Sequence, residues 1–200
     1  MIFVTVGAQM PFDRMCKAVD AWAAKRGRND VFAQIGTTDW RPTSMRCTAM
    51  IDPPAFKKAM EECSVVVAHA GMGSILTALQ FGKPILVMPR RGDLRETRND
   101  HQVATAKRFK ELGRVAVAFD EQELERELDR LGELRATERI SPWASPELLA
   151  AVRAFVHGGT SGTRPIEHRG TECTEGHREG RADGVAPTAP RAQPQSASAP

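Results

Sequence analysis

The 200-residue sequence contains no apolar run near the roughly 18 residues that suggest a membrane-spanning helix. Its longest apolar runs, residues 65–68 and 85–88, have the length of β-strands. No basic segment precedes the apolar residues 2–6, so we do not expect a signal peptide. These absences favour a cytoplasmic location.

Charge and cysteine pattern also exclude some functions. A net charge of +3 is too small to indicate nucleic-acid binding. The four cysteines lack both a CxxC spacing and a histidine at zinc-ligand intervals. We therefore expect free thiols in a reducing compartment and no structural zinc.

Strand-like and helix-like segments alternate through the first 158 residues. We predict strands at residues 2–6, 31–35, 45–50, 65–68, 85–88 and 115–119, and helices at residues 13–25, 53–62, 75–81, 101–112, 120–131 and 146–156. This order predicts an α/β fold with a Rossmann-like, mostly parallel sheet covered by helices on both faces. Residues 159–200 are rich in Gly, Ser, Thr, Pro and Arg. We expect a single domain at residues 1–158 and a disordered tail at residues 159–200.

The most informative segment is residues 65–88, VVVAHAGMGSILTALQFGKPILVM. A buried strand leads into the glycine turn, defined here as residues 70–74, and then into a short helix that Gly82 is expected to close. Free backbone amides at Gly71, Met72, Gly73 and Ser74, together with the helix dipole, favour an anion. This unit therefore predicts a site for a phosphate or diphosphate, most simply that of a nucleotide.

Two side chains beside the glycine turn have more than one interpretation. His69 ends the strand, where it can either donate to a phosphate oxygen or serve a purely structural role. Ser74 can cap the helix, bind the phosphate, or do both. Gly71 and Gly73 alone would fit a tight turn equally well, so the phosphate assignment depends on the cluster.

The polar loop, residues 89–102, leaves the same predicted edge of the sheet as the glycine turn. A charged loop of this kind is usually exposed to solvent and has no ligand. Because this loop leaves the ligand-binding edge, we expect five of its side chains to contact a bound nucleotide: Arg90, Glu96, Asn99, His101 and Gln102.

Glycines also follow the first two predicted strands. Gly7 and Gly36 both fall at the edge of the sheet where ligands of such folds bind. The turn at Gly7 lacks the GxGxxG pattern of dinucleotide-binding domains. We therefore expect this turn to line the site from the neighbouring strand.

These motifs together resemble the donor-binding half of the GT-B glycosyltransferases of family 28. The resemblance covers about residues 1–130. Within the family, the chain is most similar to small subunits that consist of one half only. Such subunits act on dolichol-linked acceptors in eukaryotes and in exopolysaccharide synthesis in bacteria. The matching pieces are Val4-Thr5-Val6-Gly7, Phe12-Asp13, Gln34-Ile35-Gly36, His69-Ala70-Gly71-Met72-Gly73-Ser74-Ile75-Leu76, Gly82-Lys83-Pro84, Met88-Pro89-Arg90 and Asn99-Asp100-His101-Gln102.

The resemblance implies a UDP-sugar donor whose diphosphate lies on the glycine turn. It implies catalytic roles for His69 and Gln102, with His101 and Gln102 holding the sugar or the phosphate. It also implies transfer with inversion and without a bound metal or other cofactor. No DxD-like motif lies near the glycine turn, which fits neutralisation of the leaving diphosphate by the helix dipole and arginine.

One position departs from the family pattern. A glutamate that binds the ribose hydroxyls lies midway along the helix after the glycine turn in much of the family, and Thr77 stands here instead. A threonine hydroxyl cannot accept from two hydroxyls as a carboxylate does. Glu96 is a candidate replacement, so ribose recognition is assigned to Thr77 or Glu96.

A full GT-B enzyme has a second half that carries the acceptor site, and about 158 ordered residues have room for only one half. The resemblance therefore implies a membrane-bound partner subunit that brings a lipid-linked acceptor for hexose transfer in polysaccharide or glycolipid synthesis. The chain would then associate peripherally with the membrane through that partner.

Two other functions remain open on the sequence. Arg90 and Arg91 follow the second strand of the glycine unit, where an arginine can hold the 2′-phosphate of NADP in an oxidoreductase. The third glycine of GxGxxG is missing, however, because Leu76 occupies its place. The second alternative is a non-catalytic UDP-sugar-binding subunit, which the threonine at position 77 would fit.

Overall fold

The computed structural model describes residues 1–157. The tail predicted at residues 159–200 lies outside the described residues. The strands are β1 (Ile2–Thr5), β2 (Val31–Gln34), β3 (Arg46–Thr48), β4 (Val65–His69), β5 (Ile85–Met88) and β6 (Ala116–Val117). The helices are α1 (Asp13–Lys25), α2 (Pro53–Glu62), α3 (Met72–Gln80), α4 (His101–Glu111), α5 (Glu121–Asp129) and α6 (Pro146–Val156), with a 3₁₀ turn at Leu131–Glu133.

All six strands are parallel and follow the order β3-β2-β1-β4-β5-β6. β2 and β3 lie on one side of β1, and β4, β5 and β6 lie on its other side. Strand order therefore reverses between β1 and β4. In open α/β sheets ligands bind outside the carboxyl ends of the strands at such a switch point.

Helices cover both faces of the sheet, as the sequence predicts. Successive side chains of a strand point to opposite faces, so Ile2 and Val4 join one buried cluster while Phe3 joins another. The first cluster includes buried residues of α1 and α5, and the second includes buried residues of α2, α3 and α4. The predicted Rossmann-like class is confirmed.

Helix ends follow local sequence signals, and the expected helix end at Gly82 is confirmed. Gly82 and Gly113 follow α3 and α4 in left-handed conformations, with φ of +63° and +64°, where a Cβ is unfavourable. The carboxylates of Asp52 and Asp120 cap α2 and α5 by accepting from backbone amides three residues later.

One predicted helix start was wrong, whereas α4 begins at His101 as predicted but without the expected cap from Asp100. α3 begins at Met72, not near residue 75, because Gly71 has an extended conformation and already acts as the N-cap residue. The Asp100 side chain does not cap α4. Its Oδ1 instead accepts from the amide of Gly92 at 2.8 Å, which stabilises the polar loop.

Within residues 1–157, no helix is both long and apolar enough to cross a membrane. The cysteines of this part of the chain, Cys16, Cys47 and Cys63, are free thiols. Burial raises the pKa of Cys16 to about 12, so this thiol stays protonated and unreactive.

Candidate functional site

A cavity of about 640 Å³ lies at the carboxyl ends of the central strands. Its walls include the first loop (residues 6–12), the glycine turn, the polar loop and the start of α2. Most of the predicted site residues line it: Gly7, His69, Gly71, Gly73, Ser74, Thr77, Arg90, Glu96, His101 and Gln102. The topology therefore brings together the ends of β1, β4 and β5, as the sequence predicts.

The imidazole of His69 is packed between two glycines from different loops. A Cβ on Gly7 would lie 2.6 Å from His69 Cε1, and a Cβ on Gly71 would lie 2.2 Å from His69 Nε2. Gly7 also has a φ of +77°, which disfavours any larger residue. The two glycines are thus needed for the close approach of the first loop and the glycine turn to one side chain.

His69 is uncharged at neutral pH. Burial, and secondly the charge of Arg90, lower the pKa of His69 from 6.5 to about 4. Nδ1 is buried and makes no hydrogen bond of good geometry among the described residues, although backbone hydrogen bonding with Thr5 acts to raise the pKa of the ring. Nε2 is the nitrogen nearest the Gly71 Cβ position. A neutral imidazole protonated at Nε2 would donate towards the glycine turn.

The glycine turn presents unpaired backbone amides. Gly71 provides no side-chain cap for α3, so the amides of Met72, Gly73 and Ser74 have no partner inside the helix. A Cβ on Gly73 would meet nothing within 4 Å, which leaves the backbone open to a close ligand. The Met72 side chain is 49% exposed and does not line the cavity, so only its amide can serve the site.

Two buried polar side chains fix the start of the first loop. Thr5 Oγ1 donates to Gln34 Oε1 at 2.7 Å, and the amide of Gly7 donates to Thr5 Oγ1 at 3.2 Å. Gln34 Nε2 then donates to the carbonyl of Gly7 at 3.1 Å. Both backbone polar groups of Gly7 are therefore held by strands β1 and β2.

Arg90 differs from its expected role as a direct ligand of the nucleotide. Its side chain is 4% exposed, and its guanidinium donates to the carbonyls of Val6 at 3.0 Å, Met10 at 2.6 Å and Pro11 at 2.6 Å. The cation also lies over the ring of Phe12, with Cζ 4.7 Å from the centroid. Arg90 thus borders the cavity, but its guanidinium is turned to the first loop, which it supports.

Glu96 is also occupied within the protein. Its two oxygens accept from Arg14 at 2.7 and 2.9 Å, and one of them accepts from the amide of Arg91 at 2.9 Å. This bidentate pair disfavours the predicted ribose contact of Glu96. Thr77 lines the cavity and donates to the Gly73 carbonyl at 2.7 Å, which leaves its oxygen lone pairs for a ligand hydroxyl.

Gln102 and His101 lie at the start of α4 on the cavity. Gln102 is buried, and its Oε1 accepts from the amide of Arg90 at 3.2 Å, so its amide NH₂ remains for a ligand. His101 is exposed, and its backbone amide donates to Asn99 Oδ1. Asn99 positions His101 but does not line the cavity itself.

Gly36, like Asn99 and the Met72 side chain, does not line the cavity. It has a φ of +76°, and a Cβ there would lie 3.0 Å from the Cα of Pro11. Its role is therefore to let the loop after β2 pack beneath the first loop.

Sequence reasoning missed an apolar wall of the cavity. This wall consists of Met50, Ile51, Pro53 and Phe56, between the end of β3 and the first turns of α2. The available signal was the apolar pair Met50-Ile51 directly before the helix cap at Asp52, because the end of a parallel strand lies on the ligand-binding edge.

The two arginines behind the NADP alternative are both paired elsewhere. Arg90 holds the first loop, and Arg91 forms an exposed ion pair with Asp93 at 2.6 Å. Nothing in this arrangement favours a 2′-phosphate. Within residues 1–157, no group of three metal-ligating side chains lies together, and the absence of a metal from the reaction stays a prediction.

The fold and the cavity define a Rossmann-like α/β domain with a turn of unpaired backbone amides at its switch point. The sequence model of the glycosyltransferase family 28 C-terminal domain matches residues 1–139. The chain belongs to this family, and the resemblance seen in its motifs is confirmed.

Solved structures share the fold at low sequence identity. ALG13, determined by NMR, is 18% identical over 76% of this chain and 93% of its own, with a TM-score of 0.50. A Listeria monocytogenes protein assigned as a UDP-N-acetylglucosamine 2-epimerase is 15% identical over 78% of this chain and 45% of its own, with a TM-score of 0.53.

A further similar structure is the glycotransferase of kitacinnamycin, which is 20% identical over 65% of this chain, with a TM-score of 0.49. The chain spans only 34% of that protein. No curated protein sequence matches the chain.

Proposed function

We propose that this chain is the donor-binding, catalytic subunit of a glycosyltransferase that takes a hexose-type sugar from a UDP-sugar. The observation that carries the proposal is the glycine turn, whose unpaired amides open beside neutral His69 onto a cavity of about 640 Å³. This volume lies within the usual range for small-molecule sites. Membership of family 28 supports the same reaction class.

The cavity has a suitable surface for each part of a UDP-sugar. The diphosphate fits the glycine turn, and the uracil ring fits the apolar wall of Met50, Ile51, Pro53 and Phe56. Thr77 lies on the same lining as the candidate contact to the ribose. The sugar would then point towards His101 and Gln102 of the polar loop.

This arrangement supports sugar transfer by stabilising the leaving group. An acceptor hydroxyl attacks the anomeric carbon, the bond from that carbon to the diphosphate oxygen breaks, and UDP leaves with the bonding electrons. The α3 amides and the helix dipole stabilise the negative charge that develops on the diphosphate. Neutral His69 donates one further hydrogen bond, and Gln102 orients the sugar through its free amide NH₂.

We also propose a membrane-bound partner that supplies the lipid-linked acceptor and the base. The likeness to ALG13, which the chain matches over 93% of that protein's length, supports this proposal. Leu148, Leu149 and Val152 of α6 are exposed apolar side chains and offer a contact surface for this partner. Association through it would place the chain at the cytoplasmic face of a membrane.

Saturation-transfer NMR with UDP, UDP-N-acetylglucosamine, UDP-glucuronate and NADP tests the donor site. We expect signals from the uridine protons of the three UDP compounds, and competition among them. Binding of NADP alone, or of none of the four, would contradict the proposal. Turnover of a lipid-linked acceptor with and without the co-expressed partner then separates an enzyme from a non-catalytic UDP-sugar-binding subunit.

A further inference from the structure

Two arginines connect the first loop and the polar loop in opposite directions. Arg90 starts in the polar loop and donates to carbonyls of the first loop. Arg14 starts in the first turn of α1, directly after the first loop, and donates to Glu96 and to the Pro89 carbonyl in the polar loop. The two loops are therefore fastened to each other twice.

Both cations lie over the same aromatic ring. The Cζ atoms of Arg90 and Arg14 are 4.7 and 5.3 Å from the centroid of Phe12, and Phe12 is only 1% exposed. The ring thus shields both guanidinium groups and keeps them in place. We call these three side chains, Arg14, Phe12 and Arg90, the arginine clasp.

Burial of the Arg90 cation costs free energy that an apolar side chain at this position would not cost. Burial lowers the pKa of Arg90, because desolvation disfavours the cation, and Glu96 acts in the opposite direction. Within residues 1–157 no carboxylate pairs with its guanidinium, and three backbone carbonyls satisfy it instead. Such a cation is stable only while Val6, Met10 and Pro11 keep their present positions, so it selects one conformation of the first loop.

That conformation decides the shape of the cavity. Val6, Gly7 and Met10 all line it, and Gly7 is the residue that packs on His69. If the first loop moved outwards, the cavity would lose one wall and His69 would lose one of its two neighbours. The clasp thereby connects the polar loop with the position of His69.

We propose that Arg90 is a positioning residue, which holds the first loop against His69 so that the donor cavity is formed before the ligand arrives. The ligand part of this proposal depends on the proposed UDP-sugar site. A preformed site binds more tightly because the ligand does not have to order the loop. Lysine cannot replace Arg90, since a compact ammonium does not span three carbonyls as a planar guanidinium does.

The test compares Arg90→Lys with Arg91→Lys, a matched control at the neighbouring exposed arginine. Both variants keep the charge, and only the first removes the guanidinium from the first loop. For Arg90→Lys we expect the Kd for UDP in calorimetry to rise roughly 10-fold, as expected when binding must also order a loop. Arg91→Lys should bind as the wild type does.

Hydrogen exchange of the backbone amides supplies a second readout. In Arg90→Lys the amides of Val6 and Gly7, which donate to the Gln34 carbonyl and to Thr5 Oγ1, should exchange faster. The amides of β1 and β4 should change little, which a general loss of stability would not allow, and saturating UDP should restore the protection of Val6 and Gly7. Unchanged exchange of these amides in Arg90→Lys would overturn the inference even if no UDP binding is found for the wild type, whereas absent wild-type binding alone would overturn only the proposed function.

Discussion

The ring of His69 occupies the space that a Cβ on Gly7 would need, because the two positions are only 2.6 Å apart. This relationship joins the ends of β1 and β4 at the switch point of the sheet. A first prediction is that Gly7→Ala destabilises the fold by both its φ of +77° and this clash. Gly27→Ala is the matched control, since Gly27 has a φ of +60° and nothing within 4 Å of its Cβ position.

We expect Gly27→Ala to lower the free energy of unfolding by about 1 kcal/mol, the cost of a left-handed alanine. Gly7→Ala should cost roughly 2 kcal/mol more, because a buried ring must shift. Urea denaturation measures both values. Equal losses in the two variants would show that His69 moves away freely.

The second prediction concerns stability at acidic pH. The folded protein holds the pKa of His69 at about 4, against 6.5 for an unperturbed histidine. The unfolded state therefore takes up the proton first as the pH falls. The contribution of His69 is complete above pH 6.5, is lost between about pH 6.5 and 4, and does not change further below that.

The loss from this one residue should amount to roughly 3 kcal/mol. NMR titration of the imidazole gives the folded pKa directly, and urea denaturation at several pH values gives the stability. His69→Gln, which cannot titrate, should show a correspondingly smaller decline over the same interval. A His69 pKa near 6.5 in the folded protein would contradict this prediction.

The third prediction tests the phosphate position. Gly73→Val should fold normally, because its Cβ position has no neighbour within 4 Å, but should push a side chain into the space for the diphosphate. Gly132→Val adds the same atoms at another open position outside the cavity. Calorimetry should show that Gly73→Val no longer binds UDP and that Gly132→Val binds it normally. The circular dichroism spectrum should be native in both variants. A Gly73→Val protein that binds UDP normally would remove the diphosphate from the glycine turn.

The fourth prediction concerns turnover in the complex with the acceptor-bearing partner. His69→Ala and Gln102→Ala should each lower turnover about 10- to 1000-fold, the scale of losing a donor to developing charge. For Gln102→Ala the lost bond to the Arg90 amide should cost only about 1 kcal/mol of stability. Gln122→Ala, on the exposed side of α5, is the control. Full activity in both site variants would show that these side chains have no role in turnover and that the polar loop is only a solvent-exposed connection.

Local chemistry made much of this fold predictable from the sequence. Gly82 and Gly113 end their helices, Asp52 and Asp120 begin theirs, and the β-loop-α-β unit implies parallel strands. These signals depend on neighbours within a few residues. The sheet edge that bears the site follows from them, because strand ends in a parallel sheet share one edge.

The sequence could not show which way a long side chain turns. Arg90 stands in a motif that suggests ligand binding, yet its guanidinium contacts carbonyls some 80 residues earlier in the chain, such as that of Met10. Glu96 is likewise taken by Arg14 of α1. These pairings depend on the packing of distant elements, and the same is true of the apolar wall at Met50 and Phe56.

The last prediction asks where the ribose lies. Because Glu96 is bound to Arg14, Thr77 is the remaining candidate, and it lines the cavity from the middle of α3. Thr77→Glu would place a carboxylate there, able to accept from two ribose hydroxyls. We expect UDP to bind up to about 10-fold more tightly, equivalent to roughly 1.4 kcal/mol, with uracil alone unaffected.

Thr105→Glu provides the matched control for this gain. Thr105 makes the same bond to the carbonyl four residues earlier, but on α4 and outside the cavity. The Thr105→Glu substitution adds the same charge to the protein without adding an acceptor to the site. Tighter binding in both variants would point to a general charge effect, and weaker binding in Thr77→Glu alone would place the diphosphate, rather than the ribose, beside position 77.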